Sequence, residues 1–303
     1  MRILQFFKDW TLPIAILIGA VGYRWLTYLD FLSPVLIFMM LLLTFSKMSV
    51  KDLKFSPLHL WLLLIEIGGA VVVYYAVAPI DEVAAQGAMV CMICPTATAA
   101  AVVTGKLGGN AGSITTYTLL SNMAVAVAVP LLFPLLTDAH EQPSFWMAFL
   151  HILKKIFPLL ICPFIAAQLL RHYLPEVNRR IASVSGLAFY LWAVALTIAM
   201  SQAVAAFFEQ PHDGKTGATE LLLALMALIT CAIQFFSGKT IGKRYDDTIA
   251  GGQSIGQKNT ILAIWMCNSY LNPLSSLGPG AYIVWQNCFN SWQLWRKRKN
   301  EGK

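Results

Sequence analysis

The sequence predicts an all-α membrane protein with ten transmembrane helices. Of its 303 residues, 57% are hydrophobic and 12% are charged, and its mean hydropathy is +0.63. Because a soluble domain carries about 25% charged residues, half of the expected charge is missing. A spanning helix needs about 20 largely apolar residues. Ten such segments follow one another at residues 11–29, 31–48, 57–79, 83–105, 111–136, 150–172, 181–208, 218–238, 246–268 and 273–294.

Loop charges predict the orientation of these segments. If the N-terminus is cytoplasmic, most of the 22 lysines and arginines fall in connections on that side, as the positive-inside rule requires. The alternation predicts an even number of spans, both termini in the cytoplasm and a location in the inner (plasma) membrane. Loop charge also explains the net charge of +7, so we expect no nucleic-acid partner. The opposite connections hold the acidic residues Asp30, Asp81, Glu82, Asp138, Glu141, Glu209 and Asp213.

Two local features refine this prediction. The sequence Cys91-Met-Ile-Cys94 has no second cysteine pair or histidine cluster near it along the chain, so we expect no metal site and no cofactor. Lys154 and Lys155 fall inside the sixth segment. We interpret Phe145 to Lys155 as an interfacial amphipathic piece whose lysines snorkel to the lipid headgroups.

The fourth and ninth segments are apolar but interrupted. Pro95 lies in the fourth segment, where it removes a backbone donor and clashes with the preceding turn, so we expect the helix to break near Cys94 to Thr96. The ninth segment is interrupted by three glycines and a polar cluster. These residues are Gly251, Gly252, Gly256, Gln257, Lys258, Asn259 and Thr260.

The ten segments divide into two halves of five, residues 1–136 and 144–296. The interrupted segment is the fourth in each half, and a turn-rich link leads to the fifth. An odd number of spans per half gives the halves opposite topology, which predicts an inverted repeat. Two interrupted segments at matching places indicate the binding site of a secondary transporter.

The breaks predict an anion-binding site. The half-helix that begins after each break directs its free amides and positive dipole end at the membrane centre. Two such ends, from about Thr96 and from about Asn259, would bind a carboxylate or sulfonate, with side-chain donors on Thr96, Thr98, Asn259 and Thr260. The alternative for a single segment is a proline kink whose threonines bond back to the helix.

Lys258 carries the strongest functional signal. A lysine deep in a span costs about 2.5–3.5 kcal/mol on insertion scales, so it needs a partner or a water cavity. Our hypothesis is a buried pair with Glu66, the acid deep in the third segment, or Lys258 alone among Gln253, Gln257 and hydroxyls. The alternative is that each charge snorkels separately. Part of the cluster Thr115 to Asn122, just after the first break, is also assigned to the site.

At these residues the sequence resembles the bile acid:sodium symporter family. In that family a C-P-G-G-T-A-S-N stretch breaks the fourth span and an E-x-G-x-Q-N stretch breaks the ninth. The resemblance implies a core domain in which these two discontinuous helices cross, and a panel domain built from the first two spans of each half. It also implies transport of bile acids or small carboxylates together with sodium.

This chain departs from the family at its sodium-binding positions. The coordinating serine and asparagine of the first stretch are Ala100 and Ala101, and the glutamate and asparagine of the second are Gln253 and Lys258. Gln257 and Thr118 match the family's residues at two further sodium-binding positions, so the resemblance implies that they are ion-coupling residues. Glu66 aligns loosely with a further sodium-site glutamine, and Ser121 and Asn122 are only nearby.

We therefore expect a secondary transporter of a small or amphipathic organic anion, working by alternating access in the lipid bilayer. It would be sodium-independent or proton-coupled, with Lys258 in place of sodium. A sodium symporter with a rearranged site is the alternative. An intramembrane enzyme is disfavoured because His59, His140, His151, His172 and His212 all fall at or beyond segment ends, so no catalytic residue is predicted. A cation/proton antiporter typically needs membrane-embedded aspartates, whereas Asp246 and Asp247 lie near a segment end.

Overall fold

The computed structural model describes residues 11–136, 144–184, 187–209 and 214–301. Six residues that entered the orientation prediction, Arg2, Lys8, Asp138, Glu141, Asp213 and Lys303, lie outside this range, as do His140 and His212. The helices are α1 Thr11–Val21, α2 Tyr23–Leu26, α3 Leu32–Phe45, α4 Pro57–Val77, α5 Glu82–Ile93, α6 Ala100–Leu107, α7 Ala111–Leu136, α8 Phe145–Tyr173, α9 Pro175–Ser183, α10 Leu187–Phe208, α11 Gly214–Lys243, α12 Thr248–Gly256, α13 Thr260–Tyr270 and α14 Leu277–Glu301. Short 3-10 turns lie at Thr27–Leu29, Val50–Asp52 and Pro273–Ser276.

Each of the ten predicted segments contains helix, but fewer helices are long and apolar enough to cross a membrane. Among the described residues five qualify, α4, α7, α8, α10 and most of α11. A sixth span results if Tyr23–Leu29 and Leu32–Phe45, which are bent by 64°, are counted together. The fourth and ninth segments fall short because each is split into two short helices. The chain is thus an all-helical membrane protein, and ten spans in two inverted repeats stay a prediction.

Two predicted boundaries are wrong. The sixth segment is one continuous helix from Phe145 to Tyr173, capped by the Ser144 hydroxyl, so it begins before residue 150 and Phe145 to Lys155 is its first part; the interfacial position of Lys154 and Lys155 stays a prediction. The seventh segment does not begin at residue 181, because Pro175–Ser183 forms its own short polar helix and α10 starts at Leu187. Pro175 is at the first position of α9, where proline favours a new helix start.

Three of the four helices that flank the two breaks, α5, α12 and α13, are enclosed by the rest of the protein, whereas α6 is partly exposed. Every residue in the ranges 84–96 and 250–267 is buried. Close backbone packing holds α12 in place, since a Cβ on Gly251 would collide with the carbonyl oxygen of Gly238 in α11. Small residues allow such contacts between membrane helices. Irregular backbone at membrane depth is tolerated only where protein or a water-filled cavity surrounds it, and the buried stretches 94–96 and 257–259 meet that condition.

Candidate functional site

The helix break predicted at Pro95 is present. α5 ends at Ile93, Cys94 has an extended backbone (φ −56°, ψ 137°), and α6 begins at Ala100. The residue before a proline is disfavoured in helical conformation, which explains why the chain leaves the helix at Cys94. The break therefore follows from local sequence.

The predicted break in the ninth segment is also present. α12 ends at Gly256, Gln257 is extended, and α13 begins at Thr260. Asn259 is the N-cap of α13, and its side-chain oxygen accepts a hydrogen bond from the Leu262 amide at 3.3 Å. Asparagine is a preferred N-cap because it satisfies an amide that has no partner inside the helix.

The two breaks contact each other through their backbones. Thr96 and Lys258 form an isolated antiparallel bridge. On either side of it the Ala97 amide donates to the Gln257 carbonyl, and the Asn259 amide donates to the Pro95 carbonyl, both at 2.8 Å. Each break thus satisfies backbone groups that the other leaves unpaired, as a buried environment requires.

Other backbone amides at the breaks are bonded to side chains. The Thr96 amide donates to the Ser121 hydroxyl at 3.2 Å, and the Lys258 amide donates to the side-chain oxygen of Gln286 at 2.9 Å. The Thr96 hydroxyl donates to the Ser254 carbonyl at 2.6 Å. In this conformation these donors are therefore used within the protein, and the anion-binding role assigned to Thr96 and the half-helix ends stays a prediction.

A buried ion pair joins α4 to the ninth-segment break. The Lys258 Nζ lies 2.8 Å from Glu66 Oε1, and the two side chains are 1% and 0% exposed. The hypothesis that these two residues pair is confirmed, and the alternative that each snorkels separately is wrong. The pair is 192 residues apart in sequence, so it connects the two halves of the chain.

Two hydroxyl groups of α7 complete the environment of the carboxylate. Tyr117 donates to Glu66 Oε2 at 2.6 Å, and the Ser121 hydroxyl lies 2.9 and 3.0 Å from the two carboxylate oxygens. A buried ion pair offsets its desolvation only when further hydrogen bonds satisfy the remaining lone pairs. Tyr117 and Ser121 supply those bonds, so the carboxylate is held by an ammonium and two hydroxyls.

Sequence reasoning missed Tyr117. It lies four residues before Ser121 in α7, and residues four apart share a helix face. Because Ser121 was already a predicted site residue, this spacing could have indicated that Tyr117 also faces the site. Tyrosine is usually assigned to the apolar core, and only the packing of α4 on α7 shows that its hydroxyl meets a carboxylate.

Replacing Tyr117 with phenylalanine should therefore destabilise the protein. A hydrogen bond to a charged group contributes about 1.5–3 kcal/mol, and the substitution removes only the hydroxyl. The measurement is thermal unfolding of the purified protein in detergent. Tyr75, which is 62% exposed on α4, is the matched control, and Tyr75→Phe should leave the midpoint unchanged. Equal midpoints for the two variants would contradict the assignment.

The other predicted ion-coupling residues are buried but bond elsewhere. Thr118 donates to the Ile114 carbonyl and Asn122 to the Thr118 carbonyl, both within α7. Gln253 donates to Asn290 at 2.8 Å. The side-chain oxygens of Asn122, Gln253 and Gln257 are buried without a hydrogen-bond partner among the described residues. Of the predicted substrate-binding residues, Thr260 is buried and Thr98 is half-buried.

A second polar group fixes the helix ends that precede the two breaks. The Tyr282 hydroxyl donates to the Gly256 carbonyl, the last residue of α12, at 2.9 Å. Gln234 donates to the Tyr282 hydroxyl at 3.0 Å and to the Cys91 carbonyl of α5 at 3.1 Å. Sequence analysis did not assign Gln234 or Tyr282 to the site. Among the described residues no group of three or more His, Cys, Asp or Glu side chains is arranged to hold a metal ion.

These features define a class of protein. Two discontinuous helices that meet inside a helical membrane protein, next to a buried ion pair, are typical of secondary transporters. A family model described as the SBF-like CPA transporter family matches residues 35–281, a range that contains both breaks, Glu66 and Lys258. The chain therefore belongs to this bile acid:sodium symporter-like family, as its motifs indicated, and membership implies a secondary transporter. No curated protein sequence matches the chain significantly.

Proposed function

We propose that this protein is a sodium-independent secondary transporter of a small or amphipathic organic anion, coupled to protons through the Glu66–Lys258 ion pair. The supporting observation is the contact of 2.8 Å between Lys258 Nζ and Glu66 Oε1 beside the junction of the two breaks. The proposal includes ten spans, two inverted repeats and alternating access in the plasma membrane, with both termini cytoplasmic.

Electrostatics argues against a sodium ion next to this pair. Two unit charges of like sign about 4 Å apart repel by about 4 kcal/mol at an effective dielectric constant of about 20. The ammonium of Lys258 already neutralises Glu66, and it has replaced the asparagine that the family carries. A second cation would have to displace the ammonium or bind without the carboxylate.

The pair supplies a means of coupling an anion to a proton. In the described conformation Lys258 is paired and buried, so its charge is not available to a substrate. Protonation of Glu66 would remove the attraction between the two groups, and Lys258 would then bind a substrate carboxylate near the N-terminus of α13. Proton and anion would move together, because each is bound favourably only when the other is present.

Transport in proteoliposomes tests this proposal. Cholate, pantoate and benzenesulfonate are first compared as stabilising ligands by thermal shift, and uptake of the best ligand is then measured with sodium or N-methylglucamine outside. We expect uptake to be equal in the two media and to rise when the outside is made acidic. Lys258→Asn should abolish uptake, whereas Lys299→Asn, at an exposed lysine, should not. Uptake that requires sodium, or strong stabilisation of the parent protein by sodium alone, would refute the proposal.

One observation favours sodium symport as the second candidate. The side-chain oxygens of Gln253, Gln257 and Asn122 are buried and unpaired among the described residues, and amide oxygens are suitable ligands for hard cations. Should uptake depend on sodium, Gln253→Leu and Gln257→Leu will weaken the sodium dependence. Under proton coupling both variants will respond to sodium no differently from the parent protein.

A further inference from the structure

A basic cavity lies at the end of the molecule where α11 and α14 finish. Its volume is about 340 Å³, and its lining includes the last residue of α6 and Ile249 of α12. None of the described residues that line it is acidic. Its polar and aromatic lining consists of Lys239, Trp292, Gln293, Arg296, Lys297 and Asn300.

Gln293 provides an independent sign that this cavity holds a ligand. The residue is 8% exposed, and its side-chain Nε2 is buried without a hydrogen-bond acceptor in the described part of the chain. Nearly all buried polar groups in proteins are hydrogen bonded, so an orphan donor calls for an explanation. Gln293 lines the cavity, and an acceptor bound there would supply the hydrogen bond that this donor lacks.

Trp292 connects the cationic groups to the lipid-facing surface. Its ring lies 5.9 Å from Lys239 Nζ and 5.5 Å from Arg296 Cζ, measured to the ring centroid. The tryptophan is itself 44% exposed. One turn of α11 before Lys239, Phe236 is 56% exposed and packs at right angles on Phe289 of α14. The ligand site therefore combines a cationic cavity with an exposed apolar flank, as an interfacial tryptophan predicts.

We propose that this cavity binds the phosphate of an anionic phospholipid headgroup, whose acyl chains lie along Trp292 and Phe236. The charge of the cavity selects an anion, the Gln293 amide donates to a phosphate oxygen, and the apolar flank favours a lipid over a soluble phosphate. Basic pockets between membrane helices on the cytoplasmic side bind such headgroups, and this end is the predicted cytoplasmic one. None of the residues assigned above to substrate or ion binding lines this cavity.

The site also bears on the ninth-segment break. The stem of Lys239 packs on Gly252, since a Cβ there would lie 2.6 Å from Lys239 Cγ. On the other side, Lys297 donates to the Lys106 carbonyl of α6 at 2.9 Å. A headgroup held by Lys239 and Lys297 would therefore tie α12 and α6, which adjoin the two breaks, to the end of α14.

The test compares lipid binding by the full chain and three variants. Purified protein in detergent is titrated with phosphatidylglycerol or with phosphatidylcholine, and bound lipid is counted by native mass spectrometry. We expect phosphatidylglycerol to bind preferentially, Arg296→Gln to weaken its binding roughly fivefold, and Gln293→Leu to weaken it roughly tenfold. Arg298, an exposed arginine two residues further along the same helix that does not line the cavity, is the matched control, and Arg298→Gln should bind as the parent protein does.

Several outcomes would overturn the inference. If Arg296→Gln and Arg298→Gln weaken phosphatidylglycerol binding equally, the lipid is attracted to the basic surface in general and does not bind specifically in this cavity. Competition by inorganic phosphate at the concentration of the lipid would show that the cavity holds a free anion and no lipid. Arg296 is exposed, so its substitution tests the cavity even if Gln293→Leu fails to fold.

Discussion

Removing one member of the Glu66–Lys258 pair will destabilise the protein by several kcal/mol, whereas removing both will not. Breaking a buried ion pair by losing one partner typically costs 3–5 kcal/mol, about the largest effect expected of a single substitution, because an uncompensated charge is left in the interior. Glu66→Gln leaves the ammonium of Lys258 without its carboxylate at a site that is 1% exposed. Lys258→Met leaves the carboxylate with only the hydroxyls of Tyr117 and Ser121.

The double variant Glu66→Gln with Lys258→Met separates stability from function. Replacing both charges with neutral groups of similar volume is often neutral or stabilising, and glutamine still accepts hydrogen bonds from Tyr117 and Ser121. Thermal unfolding in detergent should therefore place the double variant near the parent protein and above both single variants. Anion uptake by the double variant should nevertheless be lost, because it has neither the coupling carboxylate nor the cation.

An exposed ion pair in the same chain is the control. Glu176 and Arg179 in α9 are 3.0 Å apart, with side chains 71% and 75% exposed. Pairs of this kind contribute about 0–1 kcal/mol, so Glu176→Gln should change the unfolding midpoint little. If a double variant at Glu66 and Lys258 transports normally, the pair has no part in the mechanism. If the single variants are as stable as the parent, the two charges are not buried in the folded protein.

Replacing Gly251 with alanine should displace α12 and inactivate the protein. The added Cβ would collide with the backbone carbonyl of Gly238 and lie 2.9 Å from Gly242 Cα. Backbone atoms cannot rotate away, so the two helices must separate. Overpacking of this kind costs about 1–3 kcal/mol, and the shift is transmitted to Lys258 only two residues beyond the end of α12.

Gly68→Ala is the matched control for this substitution. Gly68 lies within α4, and a Cβ built there meets nothing within 4 Å. Alanine favours helix over glycine by about 0.8–1.0 kcal/mol, so Gly68→Ala should be neutral or slightly stabilising. Thermal unfolding and uptake of both variants give the comparison. If Gly251→Ala unfolds at the same temperature as Gly68→Ala, the contact between α11 and α12 is looser than described.

Local features of the sequence predicted much of the candidate site. Pro95 and the polar cluster that follows Gly256 predicted where the two helices end, because helix breaking depends on a residue and its immediate neighbours. The cost of isolated charges in an apolar segment predicted that Glu66 and Lys258 needed partners. The starts of α8 and α10 were missed because helix ends do not follow the limits of an apolar run: the Ser144 cap starts α8 before that run, and Pro175 starts a separate polar helix ahead of α10.

By itself, the sequence determined the class of this protein, its family and the positions of its two helix breaks. These properties depend on composition, segment length and local backbone chemistry. Only the tertiary structure decided that Lys258 pairs with Glu66, that Tyr117 supplies a bond to the carboxylate, and that a backbone amide of each break donates to a carbonyl of the other. Those contacts join residues far apart in the chain, and spacing along a sequence does not specify which buried groups will meet.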